Sequence, residues 1–201
     1  MNLRAVAPGL WYWTAPHPDW RGATAWPEEV GCVCYRAPGT IVLIDPLLPP
    51  GEEDAFWCFV DGLALPVAVL LTASWHQRDS RAIAERSDTI VWAHESAQPR
   101  LDFPTRSGTL PDGVEAFTPD GDAEGQVAFF LAEHETLVVA ELFMGTGEGL
   151  RLCPSPAVDD LEAFRRSMRS LLDLPIERVL VAHGPPVLEN GRRRIAEALG
   201  A

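Results

Sequence analysis

The 201-residue chain contains no lysine: all 16 of its cations are arginine, set against 29 acidic residues for a formal charge of −13. Such a surface repels phosphate backbones, so nucleic acid is not an expected partner. The chain also lacks any apolar run approaching the ~20 residues that a membrane-spanning helix needs. Its first residues, MNLRAVAPGLWYWTAP, have no long apolar core and soon meet proline and aromatics, so no signal peptide is expected. Linkers, low-complexity tracts and internal repeats are missing too, and one domain over 1–201 is the expectation. Cysteine is scarce. Cys32 and Cys34 alternate on one predicted strand and share a face, which does not favour a disulfide between them. Cys58 and Cys153 offer no second close pair for a zinc knuckle. Free, buried thiols in a cytoplasmic protein are the reading that follows.

What is present is an ordinary globular composition, 47% hydrophobic and 22% charged, which excludes a disordered chain. GLWYW (9–13) reads as a strand. GCVCYR (31–36) and TIVLID (40–45) flank Ala37-Pro38-Gly39 and read as a hairpin. Pro49, Pro50 and an acidic run after them lead into a helix that continues through AFWCFVDGL. VAVLLT (67–72) has the unbroken apolar character of a strand buried on both faces. DSRAIAERS (79–87) is helical in character, with Asp79 or Ser80 as its cap. TIVWA (89–93) follows as a strand, so a βαβ crossover is expected. VEAFT (114–118), QVAFFLA (126–132) and TLVVAELF (136–143) read as three strands. LEAFRRSMRSLLDL (161–174) has apolar residues at helical spacing, RVLVAH (178–183) is a buried strand, and NGRRRIAEALG (190–200) is a terminal helix. Periodicity alone reaches one α/β or α+β domain. Strands in both halves, each followed by helices, fit two mixed sheets face to face with helices outside: an αββα four-layer sandwich of the α+β class.

The order of the landmarks says more than the elements. IVLIDPLLP ends a hairpin strand in Asp45. VAVLLT runs into the His-containing loop TASWHQRDS. TLVVAELFMG carries an acidic residue at its end. RVLVAHGPPV ends in a histidine followed by Gly-Pro. From about Leu10 to Leu199 this resembles the metallo-β-lactamase superfamily. The corresponding pieces there are an "LID" hairpin end, an "LTH-x-H-x-D-H" loop, a "PGH" loop, a "GD" strand end and a final "HG". The resemblance implies the αββα fold, two zinc or related ions at the sheet edge, and hydrolysis by a metal-bound hydroxide.

The chain departs from that pattern. With His76 on the motif's second histidine, Ser74 stands at the first, Arg78 at the aspartate and Asp79 at the last histidine. Asp120-Gly121-Asp122 replaces the histidine-bearing "PGH" loop, and the bridging aspartate becomes Glu141. Only His183 matches its place. A guanidinium stays protonated and cannot ligate, so Arg78 is expected to lie as an ion pair over Asp79 and Glu141, supplying positive charge in place of a metal. The plain alternative is a solvated arginine at a helix start.

His76, His183 and Glu141 are the candidate catalytic residues, and also the candidate metal ligands. Histidines hydrogen-bonded at strand ends are the competing account. Trp75, Arg78 and Asp79 are the candidate substrate-pocket residues. Asp45 is assigned the structural role of ordering neighbouring loops, and His94 is a reserve candidate. Trp11, Trp13, Trp20, Trp26 and Trp75 either line a pocket or fill the core. The foremost functional expectation is a divergent relative with its metal site largely lost, non-catalytic or weakly active, binding a small molecule. The alternative is a metal-dependent hydrolase with a reduced mononuclear site, zinc foremost, held by His76, Glu141 and His183. Acid–base chemistry without a metal ranks third.

Overall fold

Alternation along the hairpin strands sends their side chains into two separate cores. In the computed structural model, which describes residues 2–22, 26–122, 124–153 and 158–200, seven strands form the first sheet in chain order. They are β1 (Arg4–Ala7), β2 (Leu10–Pro16), β3 (Glu29–Ala37), β4 (Thr40–Ile44), β5 (Val67–Leu70), β6 (Val91–Trp92) and β7 (Thr105–Arg106). β1 to β4 pair antiparallel and β4 to β7 parallel. Ala37 pairs with Thr40 across Pro38-Gly39, and Gly39 supplies the positive φ, 76°, that this two-residue turn needs.

β8 (Val114–Phe117), β9 (Ala128–Leu131), β10 (Thr136–Val139) and, after the ribbon β11 (Phe143–Thr146) and β12 (Gly149–Leu152), β13 (Arg178–Val181) complete the strands. The second sheet has the order β13-β10-β9-β8, with β13 parallel to β10 and the other pairs antiparallel. Four α-helices flank the sheets: α1 (Glu53–Gly62), α2 (Ser80–Arg86), α3 (Leu161–Met168) and α4 (Gly191–Leu199).

Three apolar clusters show the layering. Cys32, Cys34, Ile41 and Leu43 pack outward against Phe56 and Val60 of α1 and Ile83 of α2. Their strand neighbours Val33, Tyr35, Val42 and Ile44 point the other way, onto Phe129, Leu131, Val138 and Leu180 of the second sheet. That sheet's outer face, including Phe130, Leu137 and Val139, packs on Phe164 and Met168 of α3 and Ile195 of α4. The order is helices, sheet, sheet, helices, as the sequence pattern suggests. Each fully buried large side chain contributes about 1.5–3 kcal/mol through its removal from water, so these three cores supply most of the driving force. Cys32 and Cys34 are buried free thiols on one face, whereas Cys58 is exposed and Cys153 partly so, against the expectation of burial.

Local departures from the sequence reading are instructive. The expected strand 136–143 ends at Val139, and Glu141 leaves the sheet. The β11–β12 hairpin, which the sequence reading does not contain, turns at Gly147-Glu148. α3 stops at Met168 and tightens into a 3₁₀ turn over Arg169–Asp173. Asp79 does not cap α2 with its side chain; its carboxylate instead accepts from the Leu48 N–H at 2.7 Å. Among the described residues no helix is long and apolar enough to cross a membrane.

Candidate metal centre

The parallel pairing of β10 and β13 places two candidate residues side by side. Val139 pairs with Val181, so Glu141 and His183, each two residues farther on, emerge together at the carboxyl ends of their strands. His183 is fixed from three directions. The Ala182 N–H donates to the Val139 carbonyl, the Gly145 N–H donates to the His183 carbonyl, and Val30 forms a bridge with His183. The first sheet supplies the third residue. β5 ends at Leu70, and the chain turns through a 3₁₀ segment, Ser74–His76, that delivers His76.

Asp45 holds His76 in place. It follows β4 with its backbone in the left-handed region at φ 48°. Its carboxylate accepts from the Thr72 N–H at 2.9 Å and from the Thr72 hydroxyl, and its Oδ2 lies 2.9 Å from His76 Nδ1. An ionised carboxylate can only accept, so the Nδ1 nitrogen carries the proton and Nε2 of the neutral ring keeps its lone pair. Nε2 faces Glu141 Oε1 at 3.9 Å, and His183 Nε2 faces the same oxygen at 3.4 Å. One ligand atom from each of His76, Glu141 and His183 lies within 4.8 Å of the other two. Both histidines are buried, at 4% and 5% exposure.

The protonation states follow from these neighbours. Burial pulls His76 down, but the Asp45 carboxylate more than offsets this and leaves it above the ordinary imidazole value. Burial dominates at His183, which is held below that value despite Glu141. Burial alone would raise Glu141, yet the two imidazoles hold it well below the usual carboxylate range. Asp45 is likewise held low, against burial, by His76, Arg78 and Thr72. Two buried imidazoles and an ionised carboxylate converge, with one ring backed by a carboxylate. This donor set fits one divalent ion with a position left open.

Arg78 does not form the expected ion pair with Asp79 or Glu141. Its Nη1 donates to the carbonyls of Asp45 and Gly31 at 2.7 and 2.8 Å and lies 3.4 Å from Cys32 Sγ. The reason is local. Arg78 has a left-handed backbone, φ 41°, and Asp79 is already engaged with Leu48. Trp75 lies edge-on to His76, with ring centroids 6.4 Å apart. Asp79 lines a separate groove of about 430 Å³ with His17, Trp20 and Leu48. The cavity that opens on Glu141 and His183 has a volume of about 160 Å³ and is walled by Trp26, Phe143, Met144 and Cys153. Trp26 lies against His183 with centroids 5.3 Å apart. Trp11 and Trp13 belong instead to the core beneath α1. His94 accepts from the Ser96 N–H and joins no cluster with the three. Phe143, Met144 and Cys153 carried no sequence signal; only the ribbon after Glu141 brings them to the site. A wider groove of about 600 Å³ beside Glu135, Ile176 and Arg192 contains none of these residues.

Solved structures share the whole architecture. A metallo-beta-lactamase family protein of Thermus thermophilus aligns over 98% of this chain and 80% of its own, with a TM-score of 0.66 and 20% identity. A metallo-beta-lactamase from Erythrobacter litoralis aligns over 98% and 91%, at 0.72 and 16%. The DIM-1 metallo-beta-lactamase aligns over 99% and 96%, at 0.74 and 14%. The chain has the metallo-β-lactamase fold. No protein-family model and no curated protein matches the sequence. In this metallo-β-lactamase fold, His76, Glu141 and His183 converge at one end of the sandwich, while Ser74 and Arg78 replace donors that the sequence resemblance leads one to expect.

Proposed function

We propose that the protein is a metal-dependent hydrolase with a single divalent ion, zinc foremost, held by His76, Glu141 and His183. The observation that carries this reading is the convergence of three ligand atoms within 4.8 Å, two of them on buried imidazoles. A divalent ion at such a site acidifies a bound water and polarises the bond under attack.

The chain's own residues do the rest. Asp45 keeps the His76 proton on Nδ1 and so presents Nε2. Glu141, ionised across the working pH range, is the anionic donor. Trp26, Phe143 and Met144 wall a cavity on one side of the centre. The adjoining cavity of about 160 Å³ is well below the ~300–1,000 Å³ of sites for drug-sized ligands. No lysine exists to line it, and Arg78 is turned to backbone carbonyls. A small, uncharged acyl group is therefore the substrate portion proposed for it, with a small molecule rather than nucleic acid as the partner.

A second reading keeps the fold and the small-molecule ligand but drops catalysis. It is favoured by the loss of donors at Ser74 and Arg78. Hydrolysis assays with esters and thioesters of short acyl groups separate the two. Under the first reading, turnover disappears on chelation, returns with zinc and is abolished in Glu141→Gln. Turnover indifferent to chelation would sink the metal reading; ligand binding without turnover, in zinc-loaded protein, would favour the second.

A further inference from the structure

Arg78 is two residues beyond His76, and its left-handed backbone, φ 41°, turns the side chain inward. Its Nη1 donates to two carbonyls, and both belong to supports of the candidate ligands. Asp45 bears the carboxylate bound to His76 Nδ1. Gly31 donates its own N–H to the carbonyl of Ala182, the residue before His183, and adjoins Val30, which bridges to His183. The guanidinium thus lies between the buttress of one imidazole and the buttress of the other. Its Nε is buried and has no hydrogen-bond partner among the described residues. Among those residues no carboxylate oxygen forms an ion pair with it, although 29 acidic residues are present in the chain. A guanidinium does not lose its proton in a protein, so the charge is fixed. Held at the supports of both imidazoles, it must oppose a metal cation by Coulombic repulsion.

We propose that Arg78 is the resident cation of the centre: its fixed charge limits the site to one metal ion and weakens the hold on that ion. It is a positioning residue, acting through the supports of His76 and His183 and through its field. The proposal rests on the reading of His76, Glu141 and His183 as ligands.

The test is titration of metal-free protein with zinc chloride in competition with a chromogenic chelator, on wild type, Arg78→Gln and Arg78→Lys. Glutamine keeps an amide donor for the carbonyls and removes the charge; lysine keeps the charge and changes the hydrogen bonds. Expected are one ion per wild-type chain, binding at least about tenfold tighter in Arg78→Gln, and binding within about threefold of wild type in Arg78→Lys. An unchanged or weaker affinity in Arg78→Gln, an equal tightening in Arg78→Lys, or two ions per wild-type chain would each overturn the proposal. If Arg78→Gln does not fold, Arg78→Met, which also removes the charge, carries the same test: binding at least about tenfold tighter supports the proposal, and unchanged or weaker binding overturns it. Failure of the underlying reading looks different: zinc then binds neither to wild type nor to either variant, or binds equally well to His76→Ala, and the proposal falls with it.

Discussion

A neutral imidazole offers a metal one lone pair, and the partner of its other nitrogen decides which nitrogen offers it. Asp45 makes that decision for His76. Asp45→Asn is expected to weaken zinc binding about 10–100-fold, the usual effect of losing such an outer carboxylate, and to lower the His76 pKa; a chelator competition and a histidine NMR titration check both. The pH dependence of binding follows from the same residue. His76 is held above the ordinary imidazole value and Glu141 far below the carboxylate range, so the proton a metal must displace is the one on His76. Zinc affinity should rise by about tenfold per pH unit below the His76 pKa and level off above it, since ligand deprotonation is linked to binding. At this scale the sequence singled out His76, Glu141 and His183, by their places after apolar strands and by the family resemblance, and the fold brings the three together. The sequence did not reveal the direction of Arg78. That direction depends on a left-handed backbone angle and on Asp79 being taken by Leu48, and neither leaves a mark in residue types.

Strand register does at the level of elements what Asp45 does at the level of one ring. β10 and β13 bring Glu141 and His183 together only while their parallel register holds, and β3 secures the second sheet through the Gly31 N–H to Ala182. Two glycines make the close approach possible. A Cβ at Gly31 would overlap the Tyr12 hydroxyl and the Val181 carbonyl. Gly184, directly after His183, has φ 81°, and a Cβ there would meet the Gly145 carbonyl. Gly31→Ala is expected to cost about 1–3 kcal/mol through overpacking, and Gly184→Ala about as much through backbone strain. Both should weaken zinc binding by displacing His183; denaturant melts and chelator competition read the two effects. The strands themselves were legible because alternating or continuous apolar runs report burial directly. Their ends were less so. TLVVAELF is apolar almost throughout, and nothing in it signals that pairing stops at Val139 and frees Glu141.

For the whole molecule, burial patterns made the elements legible, both faces apolar for Val69 and Leu70 and a one-sided stripe for Phe164 and Met168, but the layered sandwich came from the order of strands and helices and from the family resemblance. Of the walls of the 160 Å³ cavity, Trp26 was among the tryptophans expected at a pocket or in the core, whereas Phe143, Met144 and Cys153 could not be read, since a ribbon far along the chain brings them there. Global stability should carry the site's charges. Asp45 and Glu141 have lowered pKa values in the folded chain, so their contribution is present above the unfolded value near 4 and is lost as pH falls through the folded values. His76 and His183 shift in opposite directions and oppose each other near neutrality. Thermal melts of metal-free protein should therefore decline on the acid side below about pH 4, less steeply in Asp45→Asn; an equally steep decline in that variant would contradict the assignment. The most direct measurement of the central claim is metal content. Metal-free protein is equilibrated with zinc, dialysed against metal-free buffer and analysed by mass spectrometry beside a His76→Ala, His183→Ala double variant. One zinc per wild-type chain and none in the folded double variant is the predicted result; no retained zinc in wild type, or equal zinc in both, would contradict it.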